Sequence, residues 1–276
     1  MEGLRQIGST VREEREMRAT ILVLGAGDVG SAVAHQLYRA GARVLLCDLE
    51  HPTHARRGMS FVDALFDGAA SLEGVAARYV ATLQALREVW RDGGAIPIAT
   101  LPAADAVREF RFDAAVDATM RRGVEAPDRR TLAPLTVGLG PGFTPGVNCH
   151  LAIETQWGDT LGAVLRDRGT APLSGGPPLL DGVGRERFVF AGREGRWQTV
   201  AAIGQPVGAG DVVGSIDGAP VRAPISGTLR GLTRDGVVVA EGDNVVEVDP
   251  RRAPEVFGLG ARPRAVARGV CTAIGL

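Results

Sequence analysis

A chain of 276 residues, 45% apolar and 23% charged, can bury a large core and is too apolar to remain disordered. Its formal net charge of −1 argues against a nucleic-acid or membrane-surface partner. The sequence contains no lysine, so all 31 basic residues are arginine. A Schiff-base lysine, a lysine general base and lysine-attached biotin or lipoate are therefore excluded.

Residues 1–18 are polar and charge-dense ("REEREMR") and read as an amino-terminal arm or a short surface helix. From residue 20 short apolar runs alternate with helical stretches. The spacing predicts a strand over 21–24, a helix over 29–39 closed by Gly41, and a strand over 43–48. Further strands are expected in "GVAARYV", "AIPIAT", "DAAVDATM" and "APLTVGLG". Helices are expected in "ATLQALREVW" and "LPAADAVREF". Strands alternating with helices imply a parallel sheet covered on both faces, so residues 19–165 are expected to form a Rossmann-like nucleotide- or phosphate-binding domain.

Residues 166–187 are rich in Gly and Pro, lack periodicity, and read as a linker. Beyond them the texture becomes all-β, with short valine-rich runs between Gly-Asp and Asp-Gly turns. Residues 188–250 also repeat themselves. A shift of 32 aligns Ala191 with Ala223, Gly195 with Gly227, Gly204 with Gly236 and Val207 with Val239. It also aligns Gly210 with Gly242, Asp211 with Asp243, Val213 with Val245 and Asp217 with Asp249. Matches at turn residues and alternating valines are what a duplicated hairpin unit needs. Residues 251–276 form a carboxy-terminal segment with a short helix.

Gly25, Gly27 and Gly30 make a GxGxxG that follows a strand and opens a helix, the setting in which backbone amides receive a phosphate. The alternative is a fold that kept these glycines for packing. Asp28 inside the loop opposes an anion. Asp48 or Glu50, at the end of the second strand, would accept from a ribose hydroxyl, or be solvated. Arg56 and Arg57 would grip a phosphate, or form an exposed charge pair.

A second Gly/Pro-rich turn, "VGLGPGFTPG", follows a predicted strand. It places Gly140, Gly142, Phe143 and Thr144 along the ligand-binding edge of the sheet. His150 and Glu154 are spaced to share a face on a helix or a strand, as an acid–base pair or as structural residues. His35 reads as packing, and His51 with His54 is a weak metal signal lacking a third ligand. Cys47, Cys149 and Cys271 are neither a disulfide framework nor a zinc site, and none has a sequence-local base. Reduced cytosol fits this usage, and no apolar run reaches the length of a membrane span.

The second part, "PVGAGDVVGSID…VRAPISGTLRGL", resembles the barrel-sandwich modules of biotinyl and lipoyl carriers, without their modifiable lysine. The segments "GAGDVGSAVAHQLYRAG", "RRGMSFVDALFDG", "VDATM", "APLTVGLGPGFTPGVNCHLAIETQWGDTLG", "VRAPISGTLRGLTRDG" and "RAVARGVCTAIG" together resemble the accessory (maturation) proteins of the selenium-dependent molybdenum hydroxylase system. The chain departs from that pattern at Asn148-Cys149. The resemblance implies a Rossmann-type unit followed by a barrel-sandwich-like unit. It implies a cytoplasmic helper that binds a nucleotide such as NAD(P), or molybdopterin, and serves a molybdenum hydroxylase client or other maturation factors. It does not establish a reaction, and a homo-oligomer is left open. Two alternatives stand beside it: an NAD(P)-dependent oxidoreductase with His150 as proton donor, and a non-catalytic scaffold.

Overall fold

The computed structural model describes residues 18–120, 125–172 and 176–276. The expected amino-terminal arm lies outside the described residues except for Arg18. Among the described residues the protein is mixed α/β, with one nine-stranded sheet and two four-stranded sheets.

The large sheet is built around β1 (Thr20–Leu24). Its partners are β2 (Arg43–Cys47) on one side and β6 (Ala114–Asp117) on the other. These strands are almost wholly buried, which is why they read as continuous apolar runs rather than alternating ones. Outward from β2 lie β5 (Ile96–Ala99), β4 (Val75–Tyr79) and β3 (Ala69–Leu72). Outward from β6 lie β7 (Leu135–Leu139), β8 (Leu151–Ile153) and β9 (Val164–Leu165). The sequence predicts a parallel sheet, and the strands from β4 to β8 are parallel. The two edge strands are antiparallel, because β3–β4 and β8–β9 are joined by connections too short for a crossover.

Helix α1 (Asp28–Arg39) buries Val29, Ala32, Val33 and Leu37. Short α2 (Ala64–Asp67) follows, then α3 (Leu83–Asp92) and α4 (Ala103–Glu109). Thr82 caps α3 by accepting from the Ala85 N–H, and Gly93 ends it in the left-handed region. The carboxy-terminal helix α5 (Ala261–Ile274) is longer than the sequence suggested. It packs Val266, Ala267 and Val270 into the same core as α1. No described helix is long and apolar enough to cross a membrane.

The carboxy-terminal β-region has its own core around Trp197, Leu229, Val239 and Val246. One sheet orders β10 (Phe188–Phe190), β17 (Asn244–Asp249), β15 (Gly227–Leu232) and β12 (Pro206–Val207). The other orders β14 (Ala219–Arg222), β13 (Val212–Ile216), β11 (Gly195–Gln198) and β16 (Val238–Val239). The 32-residue repeat carries one sheet onto the other, register included. Trp197 pairs with Ile216 as Leu229 pairs with Val248. Gly195 pairs with Val239 as Gly227 pairs with Val207, and Phe188 pairs with Glu247 as Pro220 pairs with Ser215. Each sheet takes strands from both halves, so neither half can bury its apolar face without the other.

Candidate functional site

The chain order reverses at β1: β2 lies to one side of it and β6 to the other, so the carboxyl ends of β1 and β6 flank a topological switch point. The loop from Gly25 to Asp28 leaves β1 there. Gly25 adopts φ 95°, and a Cβ on it would press against the Ala118 carbonyl at 2.7 Å. A Cβ on Gly30 would collide with the Gly25 carbonyl oxygen. These two glycines are therefore required by packing, whatever the loop binds. Gly27 differs: the nearest atoms to its virtual Cβ are those of the His54 ring, at 3.2 Å.

His54 belongs to a strap, residues 51–57, that follows β2 and covers the loop. Its Nε2 lies 2.9 Å from Asp48 Oδ2. The same Asp48 oxygen accepts the Ala26 N–H at 2.5 Å. Burial alone would lower the His54 imidazole, but the Asp48 carboxylate outweighs it and holds the group above its ordinary value. Burial alone would raise Asp48, but His54 and the Ala26 and Leu49 N–H groups hold it below.

Arg56 is the second fastening. Its NH1 donates to Asp28 Oδ2 at 2.9 Å, and its Nε and NH2 donate to Glu247 at 2.7 and 3.2 Å. Asp28 is pushed up by burial, yet Arg56, assisted by the charge of Arg262, keeps it below the usual carboxylate range. Glu247 is fully buried on β17 and is also contacted by Arg187 at 3.3 Å. Arg187 in turn donates to the Pro178, Val183 and Gly184 carbonyls, which fixes the end of the 166–187 segment. Arg57 donates to the Leu232 carbonyl at 2.8 Å and to both oxygens of Asp63. The Leu232 N–H donates to Ala55, and the Thr233 hydroxyl to the Thr53 carbonyl. The strap thus ties the glycine loop to the carboxy-terminal β-region.

Several expected roles change as a result. Arg56 and Arg57, read as phosphate grips or exposed charges, are committed to the protein's own carboxylates. Glu50 is exposed, and Asp48 is the strand-end carboxylate that the loop engages. The His54 ring of the strap stands over Gly27, where a dinucleotide pyrophosphate would need to sit.

The second turn stands two strands away along the same edge. Gly140 adopts φ 92°, and a Cβ on it would come within 3.4 Å of Met120 and the Thr155 hydroxyl. Arg262, on the first turn of α5, donates to the Thr155 carbonyl at 2.7 Å. A Cβ on Gly142 would meet Ala126 at 3.3 Å. Phe143 is buried against Gly138 in a small core with Cys149 and Leu165, so it packs rather than faces a ligand. The Thr144 N–H donates to Asn148 Oδ1, and Asn148 Nδ2 to the Gly142 carbonyl. Asn148 thus serves as the internal brace of this turn, a role in hydrogen bonding rather than chemistry.

His150 and Glu154 do not meet. They flank the short strand β8 at opposite ends, about 13 Å apart for an extended chain. His150 Nδ1 contacts the Thr136 N–H and hydroxyl near the start of the strand. Glu154 accepts the N–H groups of Thr155, Gln156 and Ala171 beyond its end. A shared side of a strand brought alignment without proximity.

Asp117 was not singled out in the sequence. It ends β6 at the switch point, buried, and accepts from Arg129 Nε at 2.7 Å and the Thr119 hydroxyl at 2.6 Å. Its signal was the same as that of Asp48: an acidic residue closing an apolar strand. Burial pushes the Cys47 thiol up to about 12 and Cys149 to about 11, so neither is a ready nucleophile. Among the described residues no three His, Cys, Asp or Glu side chains converge on a point.

No family model matches the chain. It is 35% identical over 255 residues to "Uncharacterized protein YqeB" of Escherichia coli (strain K12), which covers 92% of this chain and 47% of that protein. The chain therefore spans about half the length of the curated relative it matches. Among solved structures it is similar to the E. coli tRNA N6-threonylcarbamoyladenosine dehydratase in complex with ATP, at 18% identity and TM-score 0.29, over 58% of this chain and 65% of that one. It is also similar to the ectoine utilization protein EutE (DoeB) of Ruegeria pomeroyi, at 13% identity and TM-score 0.26, over 85% and 86% of the two chains. Scores this low carry no inference about binding or activity.

Proposed function

We propose that this chain is an accessory protein for the maturation of a molybdenum-containing hydroxylase. In this reading the nine-stranded sheet is a Rossmann-like unit, and the two four-stranded sheets form a barrel-sandwich-like unit fastened over its switch point. The observation that supports it is the strap. Arg56 joins Asp28 on the glycine loop to Glu247 on β17, so the covering region and the candidate ligand edge are linked through one side chain. The ligand is a phosphate-bearing group, a nucleotide or molybdopterin. It would be received where Gly27, Gly140, Thr155 and Arg262 border the edge once the strap moves. The family resemblance of the sequence supplies the client.

A hydride-transferring NAD(P) enzyme is less well supported, because His54 stands over Gly27 and His150 lies at the far end of β8. The same closure favours a second reading, a scaffold that binds no ligand. Calorimetry separates the three. The maturation reading expects heat with a molybdopterin-bearing or nucleotide ligand and no oxidation of NADPH over a panel of carbonyl compounds. Turnover of NADPH would restore the oxidoreductase, and the absence of heat with every ligand would leave the scaffold.

A further inference from the structure

The 32-residue repeat makes the two small sheets near copies of each other, yet the strap covers only one of them. On the β15–β17 face the Leu232 N–H donates to the Ala55 carbonyl at 2.8 Å, and Arg57 Nε donates to the Leu232 carbonyl at 2.8 Å. A Cβ on Gly231 would meet the Ala55 methyl at 3.4 Å. Gly231, Leu232 and Glu247 are buried there. The shift of 32 carries these three residues onto Thr199, Val200 and Ser215, and none of these is buried. Val200 is fully exposed, and among the described residues its N–H and carbonyl have no hydrogen-bond partner. Val212 is 57% exposed, next to the Val213 carbonyl that accepts the Thr199 hydroxyl at 2.6 Å. We infer that this open face is a docking surface for an extended segment of a partner protein, which would lie on it as the strap lies on its twin.

The turn that presents Val200 is held from both sides. The Thr199 N–H donates to Asp235 at 2.7 Å, and the Thr199 hydroxyl accepts the Ala201 N–H at 3.0 Å. Val200 therefore stands outward at a fixed place, an apolar side chain between an open donor and an open acceptor. That combination is what an added strand uses: main-chain hydrogen bonds supply affinity, and the side chains beside them supply selectivity. The two sheets differ just here. Strand β15 runs on to Leu232, with a bulge at Arg230, where β11 stops at Gln198. The covered strand is the longer one, so a guest on Val200 would lengthen β11 in the same way.

The differences between the twin faces state the guest's chemistry. Ser215 stands where Glu247 stands, so a guest arginine in the place of Arg56 would find no carboxylate, and a neutral residue fits there. Asp235, fixed beside Thr199, favours a basic residue one place later, as Arg57 follows Arg56. The guest thus carries a small apolar residue, a neutral residue and an arginine or lysine in succession. A second copy has no strap to offer, because its own is fastened to Leu232 and Glu247. The inference does not depend on what the glycine loop holds.

Two synthetic peptides test it with the full chain: residues 51–58, HPTHARRG, and the same peptide with the Arg56→Ser change. Amide shifts are followed by NMR as each peptide is added to millimolar concentration. The inference expects saturable shifts at Thr199, Val200 and Val212, and tighter binding of the Arg56→Ser peptide. Val200→Asp, at a fully exposed position that leaves the fold intact, should weaken binding about tenfold or more. Val238→Asp, an exposed position on the far side of β11, should bind as the unsubstituted chain does. The absence of shifts at Val200 would overturn the inference, as would equal binding by Val200→Asp. Shifts confined to Leu232 and Glu247 would overturn it by assigning the peptide to the strap's own face. Dimerisation abolished by Val200→Asp would overturn it too, by assigning the open face to a second copy.

Discussion

Replacing Arg56 with Met, which keeps most of the side-chain volume and removes the charge, tests how firmly the strap is fastened. Glu247 would lose its closest partner, at 2.7 Å, and Asp28 its only guanidinium contact within 3 Å among the described residues. Removing one member of a buried ion pair costs about 3–5 kcal/mol when the other charge is left alone. Here Glu247 retains Arg187 at 3.3 Å and Arg230 at 3.9 Å, and the Arg56 side chain is 28% exposed. Roughly half of that cost, about 2 kcal/mol, is therefore expected. At about 2–4 °C per kcal/mol for a chain of this size, the thermal midpoint should fall by about 4–8 °C. Hydrogen exchange should quicken in the strap and β17 more than in β1. Calorimetry and exchange mass spectrometry together provide the assay. A midpoint within about 1 °C of the unsubstituted protein, with exchange in β17 unaltered, would refute the reasoning, because the arginine would then be an exchangeable surface contact.

The remaining predictions concern the same loop. Folding raises His54 above its unfolded value near 6.5, so its contribution is fully present below that value and is lost as pH rises through the folded value. Asp48 is lowered, so its contribution is present above about 3.8 and is lost as pH falls through the folded value. The stability gap between the unsubstituted chain and His54→Gln should therefore be larger near about pH 6 than near about pH 9; a gap that does not change with pH would contradict the Asp48 pairing. Gly30→Ala should cost about 3 kcal/mol or more, because its Cβ meets the fixed Gly25 carbonyl, while Gly27→Ala meets only a movable ring and should cost about 1 kcal/mol or less. Urea denaturation checks both, and equal costs would mean that the three glycines share one role.

The elements were read well from the sequence where one local rule governs them. The central strands appeared as buried apolar runs, α1 appeared between the glycine loop and Gly41, and the 32-residue repeat carried the pairing of two interlocked sheets. The antiparallel edge at β8–β9 was missed because these strands are only three and two residues long, too short for a periodic signal. The site was less legible. The glycines marked the switch point, but nothing local to them announced that residues 54 and 56 would fold back over it. Glu247 lies 191 positions beyond Arg56. His150 and Glu154 show the converse limit: spacing fixes the side of a strand, and the strand's length decides whether two groups can touch.

The account's central claim, that this chain assists the loading of a molybdenum hydroxylase, is tested most directly by the cofactor content of that enzyme. The hydroxylase should be purified from cells with and without this chain, and its molybdopterin and molybdenum measured per polypeptide. The account predicts that the enzyme accumulates as protein but is depleted of cofactor when the chain is absent, and that it is refilled when the chain is restored. Hydroxylase with its full complement of cofactor in cells lacking the chain would contradict it.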